Sequence, residues 1–210
     1  DHPEFKYILT LQEGVAMAMA DGYALASGKL GVLNVHVAPG LGNAMGMLYD
    51  AAKTAAPLLV TAGQQDGRFS LTEPLLWGDM VSMVESMTKW AYQIERVADL
   101  PHALRRAIKV ATTPPTGPVF LGLPMDIMMA EADLDISAPS RIAPRIRGDL
   151  EAMQHAADIL AQAQHPLIIV GDEVAKTDAL DELVAVAEAL GAPVFAETVP
   201  NTTSFPSDHP

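Results

Sequence analysis

Short apolar runs alternate with segments of helical period along most of the chain. Runs at about 7–11, 31–37, 57–62, 89–93 and 118–123 read as buried strands, and about 13–27, 41–54, 74–86 and 98–112 as helices. Strand followed by helix, repeated, predicts right-handed crossovers and a mostly parallel sheet with helices on both faces. The pattern lapses over 130–148, where Pro139, Pro144 and scattered charges leave little periodicity, and that stretch reads as a linker. A helix at about 149–163, a strand at 167–171, a helix at 177–190 and a strand at 193–196 then read as the opening of a second, Rossmann-like α/β domain. The expected division is 1–129 for a first domain lacking its N-terminal part, 130–148 for the linker and 149–210 for the first part of the second domain. Both ends of the chain read as cuts through a longer protein.

Two helices carry explicit expectations about which face is buried. In the segment 13–27, Val15, Ala16, Met19, Ala20 and Tyr23 form the expected buried face, with small residues allowing close packing. In the segment after Asp99, Pro101 suits a first turn, Leu104, Ile108 and Ala111 face inward, and Arg105, Arg106 and Lys109 face solvent.

Composition narrows the function classes. Half of the 210 residues are hydrophobic, enough for a substantial core. The net charge is −13 with no basic stripe; Arg141, Arg145 and Arg147 are the nearest approach to one. Such a chain is a poor partner for nucleic acid or an anionic membrane. The absence of cysteine removes disulfides and thiolate catalysis. No signal peptide and no spanning apolar run is seen, so the cytoplasm is the expected compartment.

The candidate chemistry gathers where strands give way to helices. Glu13 stands just after one strand at a helix start. It is either a surface carboxylate favoured by the helix dipole or, if buried at the strand's carboxyl end, a group able to share a proton with a ligand nitrogen. The stretch Val35-His36-Val37-Ala38-Pro39-Gly40-Leu41-Gly42-Asn43 follows another strand. Gly40 and Gly42 permit close backbone approach, Asn43 adds a donor and an acceptor, and His36 is either a core histidine or an acid/base group. With Gly46 the run is near a dinucleotide fingerprint, and Asp66 stands where a ribose-binding acid would be, so a nucleotide-binding Rossmann oxidoreductase is a rival reading. Gln64 and Gln65 put two amides at the end of the next strand. The segment Pro118–Asp126 reads as a buried strand ending in a proline turn, and the methionines as packing. No pair of histidines has metal-ligand spacing.

Four segments in register resemble one known family. LQEGVAMAMADGYALASGK, NVHVAPGLGNAMGMLYDAAKTAAPLLVTAGQQ, TGPVFLGLPMDIM and HPLIIVGDEV are similar to the pyrimidine-binding domain and the start of the central domain of thiamine-diphosphate enzymes. The histidine before A-P-G-L-G-N and the following T-A-G-Q-Q resemble the benzoylformate decarboxylase group most, with acetolactate synthase-like carboligases as the alternative. The resemblance implies non-oxidative C–C cleavage of a 2-oxo acid through a ylide and an enamine. Glu13 would contact N1′ of the aminopyrimidine, His36 would stand on the substrate side, and Gly40, Gly42, Asn43, Gln64 and Gln65 would shape the cofactor site. It further implies Mg²⁺ held by residues outside this segment and a site completed by a second subunit in a homodimer or homotetramer. The segment alone would be inactive.

Overall fold

The computed structural model describes residues 3, 6–138 and 147–209. His2, Arg141, Arg145, Pro144 and most of the latter half of the expected linker lie outside the described residues. The chain divides into two compact units, 1–142 and 143–210.

The first unit is built on a four-stranded parallel sheet in the order β1 (Gly31–Val35), β2 (Leu58–Gln64), β4 (Val119–Pro124), β3 (Trp90–Gln93). Alternate residues along the strands feed two cores, as the two-residue period of a strand requires. On one face Leu33, Leu58, Val60, Ala62 and Phe120 pack against α1 (Glu13–Ser27), α2 (Val37–Lys53) and α3 (Met80–Val84). On the other, Leu59, Val119 and Leu121 pack against α4 (Leu100–Thr112) and α5 (Met125–Met128). Helices on both faces of a parallel sheet are the expected fold class.

Four local expectations are corrected. Residues 7–10 form no strand, although their side chains are apolar; no strand runs beside them among the described residues, and a strand exists only by pairing. In α1 the buried residues are Met17, Asp21 and Ala24, while Val15, Met19 and Tyr23 are exposed. The helix is apolar nearly all round, so pattern could not choose the face. Close approach chose it: a Cβ on Gly31 would come within 2.6 Å of the Ala20 carbonyl oxygen, so the bare glycine lets α1 settle against β1. In α4 the inward column is Ala103, Ala107 and Ala111, with Leu104 and Val110 partly buried at its flanks. Arg105 does not face solvent freely; it donates to the carbonyls of Asp135 (2.6 Å) and Ser137 (3.3 Å) and tethers residues 135–137 to α4. Finally, the helix expected over 74–86 is only α3 with a following turn of 3₁₀ helix at Glu85–Met87, preceded by another at Gly67–Thr72 and by irregular chain over 73–79. Glu73 (φ 45°) and Leu76 (φ 74°) take left-handed conformations that a helix cannot contain.

In the second unit β5 (Ile168–Val170) and β6 (Val194–Ala196) pair in parallel, with α6 (Leu150–Ala161), α7 (Glu173–Lys176) and α8 (Leu180–Leu190). Asp172 organises its last loop: its carboxylate accepts the backbone N–H groups of Asn201 (2.9 Å) and Thr202 (3.1 Å) and the Asn201 amide (2.6 Å).

Candidate functional site

All four strands of the first unit end on one edge of the sheet, the carboxyl edge, where open α/β sheets bind ligands. Gln64 and Gln93 close β2 and β3 there, and His36 follows β1 directly.

Glu13 opens α1, whose N-cap is Gln12; the Gln12 side chain accepts the N–H of Val15 at 3.0 Å. This leaves the Glu13 carboxylate free to reach α2 rather than to cap its own helix. One oxygen, Oε2, accepts the Asn43 side-chain amide at 3.1 Å. The other, Oε1, lies against Gly40, where an added Cβ would be only 3.2 Å away. Glu13, Gly40 and Asn43 therefore form one cluster from residues 30 positions apart. Glu13 is half-buried, less enclosed than a fully buried carboxylate. The role of Gly40 is now specific: it lets a carboxylate lie on the first turn of α2. Gly42 faces open space, and an added Cβ there would meet nothing within 4 Å.

The helix α2 begins at Val37, four residues earlier than the sequence pattern implies. His36 is its N-cap by position, makes no capping hydrogen bond with its side chain and is exposed at the sheet edge. The next residue, Val37, has φ 47°, a left-handed conformation that is a genuine outlier for a β-branched side chain. It turns the chain sharply out of β1 and directs His36 away from the core.

This geometry counts against the dinucleotide reading. Gly40 and Gly42 lie within the helix, not in a loop ahead of it, so no glycine cradle precedes the helix N-terminus. Asp66 is engaged as well. Its carboxylate caps the 3₁₀ turn by accepting the Arg68 N–H and binds the Arg68 guanidinium, whose Nε donates at 2.9 Å. Those Arg68 hydrogen bonds hold Asp66 well below the usual carboxylate range, at about 2.

Gln64 and Gln65 both turn to the irregular segment that follows. Gln64, buried, donates to the Gly78 carbonyl at 2.8 Å, and Gln65 donates to the Leu75 carbonyl at 2.8 Å. Gln93, which sequence reasoning did not single out, accepts from Gln64 at 3.4 Å; its signal was a polar residue closing an otherwise apolar strand. Asp126, at the end of the segment read as a strand and proline turn, accepts the Gly67 N–H at 2.9 Å and ties the chain after β2 to α5.

A carboxylate held on a glycine with one amide partner can accept or donate a proton at a ligand nitrogen, and an exposed histidine nearby at the same edge can serve a substrate. Among the described residues no group of three His, Asp or Glu side chains is placed to hold a metal ion. No described helix is long and apolar enough to cross a membrane.

Comparison with known proteins matches the chain to two domain models. They are the thiamine pyrophosphate enzyme N-terminal TPP binding domain over residues 1–82 and the thiamine pyrophosphate enzyme central domain over residues 153–210. Benzoylformate decarboxylase of Pseudomonas aeruginosa is 33% identical over 213 residues, covering 100% of this chain and 40% of the relative. Acetolactate synthase large subunit of Corynebacterium glutamicum is 30% identical, covering 97% and 33%. The crystal structure of benzoylformate decarboxylase from Polynucleobacter necessarius superposes with a TM-score of 0.93 at 37% identity, over 99% of this chain and 39% of that one. The 4-hydroxybenzoylformate decarboxylase of Rhodococcus jostii gives 0.89 at 31% identity, over 99% and 40%. The chain thus spans about two-fifths or less of the length of these relatives.

Proposed function

The chain belongs to the thiamine pyrophosphate enzymes, carrying their N-terminal and part of their central domain, and from that premise we propose that it supplies the pyrimidine end of the cofactor site in a 2-oxo acid decarboxylase of the benzoylformate type. The observation that carries the reading is the Glu13–Gly40–Asn43 cluster at the carboxyl edge of the sheet. A carboxylate so placed fits a protonatable ring nitrogen: Oε1 rests on a bare glycine and Oε2 holds a single amide, so the group keeps lone pairs for a ligand.

Bound thiamine diphosphate would act as the electron sink when a 2-oxo acid loses carbon dioxide. The work of this chain's residues is distinct from that. Glu13 exchanges a proton with N1′ of the aminopyrimidine. Asn43 fixes the orientation of that carboxylate, Gly40 lets it lie on the first turn of α2, and Gly42, which faces open space, keeps the wall on the substrate side thin. His36, exposed at the same edge and free of a capping bond, stands on the substrate side as an orienting donor or an acid/base group. Gln64 and Gln65 act on the pocket through the segment they hold. The Mg²⁺ ligands and the diphosphate site belong to other parts of the full protein, and a second subunit completes the site in a cytoplasmic homodimer or homotetramer.

A second reading within the family is an acetolactate synthase-like carboligase, favoured by the relatives of that kind that match nearly the whole chain. The deciding experiment uses the full-length protein. Thiamine diphosphate is titrated with Mg²⁺, and carbon dioxide release from benzoylformate is followed for wild type and Glu13→Gln. Cofactor-dependent turnover that falls by about a hundredfold in the variant is expected, the scale of a lost acid/base group. Acetolactate from pyruvate, with no action on benzoylformate, would establish the carboligase instead. A Glu13→Gln protein as active as wild type would remove Glu13 from the mechanism.

A further inference from the structure

The irregular segment 73–79 has no repeating backbone hydrogen bonds, yet side chains hold it at several points. Gln64 ends β2 with 5% of its surface exposed. Its amide nitrogen donates to the Gly78 carbonyl at 2.8 Å and approaches Gln93 Oε1 at 3.4 Å, while its own oxygen accepts the Gln65 N–H at 2.9 Å. The Gln65 amide holds the Leu75 carbonyl, and Asp79 caps α3 by accepting the Ser82 N–H at 3.1 Å. Both polar atoms of the Gln64 side chain are thus spent inside the protein. The left-handed Glu73 and Leu76 belong to the same segment; such conformations persist only where the surroundings over-determine them.

The segment is pressed onto the site. A Cβ on Gly78 would lie 2.7 Å from the Ala38 Cβ, and Ala38 is two residues beyond His36. Among the described hydrogen bonds, none joins the segment to Glu13 or Asn43.

We infer that Gln64 is a positioning residue: by fixing the Gly78 carbonyl it seats segment 73–79 on the first turn of α2 and sets the width of the substrate side of the site beside His36. This rests on the function proposed above and concerns the substrate end, not the pyrimidine end. Losing the Gln64 amide frees the Gly78 carbonyl and lets the segment lift. Adding a methyl at Gly78 pushes it off Ala38 by direct contact.

The test uses the full-length protein with thiamine diphosphate, Mg²⁺ and benzoylformate, and the variants Gln64→Leu, Gly78→Ala and Gly78→Ala/Ala38→Gly. Either single variant should raise KM by about tenfold, a larger change than in kcat or in the half-saturating cofactor concentration. The double variant should recover KM, because removing the Ala38 methyl removes the atom that the new methyl meets. Backbone hydrogen exchange over 73–79 should be faster in Gln64→Leu. Unchanged KM and exchange would overturn the inference, as would kcat and cofactor affinity falling together, which is a damaged fold. A wild-type protein that binds the cofactor but turns over no 2-oxo acid would sink the proposed function, and exchange over 73–79 would still decide whether Gln64 holds the segment.

Discussion

The two units are made of the same kind of α/β repeat but bury very different amounts of it. In the first, β2 and β4 are flanked by strands on both sides and covered by helices on both faces, and Leu58, Val60, Val119, Phe120 and Leu121 are fully buried. In the second, among the described residues, two three-residue strands pair only with each other, and Val170 and Ala187 are its only buried apolar residues, while Ile169 and Phe195 remain exposed. A parallel strand is stable when both its faces and both its edges are covered. The candidate site stands on the unit that meets this condition, so its carboxylate, glycine and amide are held by a rigid frame. The second unit depends more on polar anchoring, with Asp172 holding the loop at 201–202.

The largest test of this contrast is a matched pair of truncations. Phe120→Ala, in the central strand, should cost about 3–5 kcal/mol in a denaturant titration of the full-length protein. Phe195→Ala, whose side chain is 55% exposed, should cost less than about 1 kcal/mol. Equal losses would mean that the full protein encloses β6 as thoroughly as β4.

A smaller effect separates two glycines that serve one helix. Gly31→Ala would drive a methyl to 2.6 Å from both the Ala20 carbonyl oxygen and Leu58, with an expected cost of about 1–3 kcal/mol as α1 is pushed from the sheet. Gly22→Ala, inside α1 with nothing within 4 Å, should instead stabilise by about 0.5–1 kcal/mol. Thermal melting of both variants gives the signs directly. If Gly31→Ala proved neutral, close approach could not be what selects the buried face of α1.

The smallest effects are electrostatic and run in opposite directions in the two units. Burial, reinforced by the nearby Asp50 and opposed by the Thr54 hydroxyl, raises the Asp21 carboxyl above 3.8. A raised carboxyl favours the folded state while protonated, and that contribution is lost as pH rises through the folded value. Asp21→Asn should therefore stabilise at neutral pH, with the gain vanishing below about pH 4. Burial would raise Asp172 too, but the hydrogen bonds from Asn201 and Thr202 outweigh it and lower it below 3.8. Its contribution is present above that value and lost as pH falls through the lower folded one. Asp172→Asn should destabilise at neutral pH and converge on wild type in acid. Melting curves from pH 3 to pH 7 should show the two differences opening with opposite sign.

Apart from the expected strand at 7–11 and the long helix at 74–86, the sequence by itself determined the order of strands and helices, because buried parallel strands must be short apolar runs and their helices must carry a 3.6-residue period. It also placed His36 and Gln64 at strand ends, since ligand groups at a sheet edge interrupt those runs with polar residues, and it placed Glu13 at a helix start, although the strand expected before it does not form. Resemblance, on four segments in register, supplied the family. Only the tertiary structure decided which face of α1 is buried, because an almost wholly apolar helix has no pattern to read and the choice falls to a glycine 11 residues beyond Ala20. Only it brought Glu13 to Gly40 and Asn43, a contact between residues far apart in the chain. The strained turn at Val37 and the binding of Gln64 to Gly78 belong to the same class. Both depend on what surrounds a residue in space, and local propensity carries no information about that.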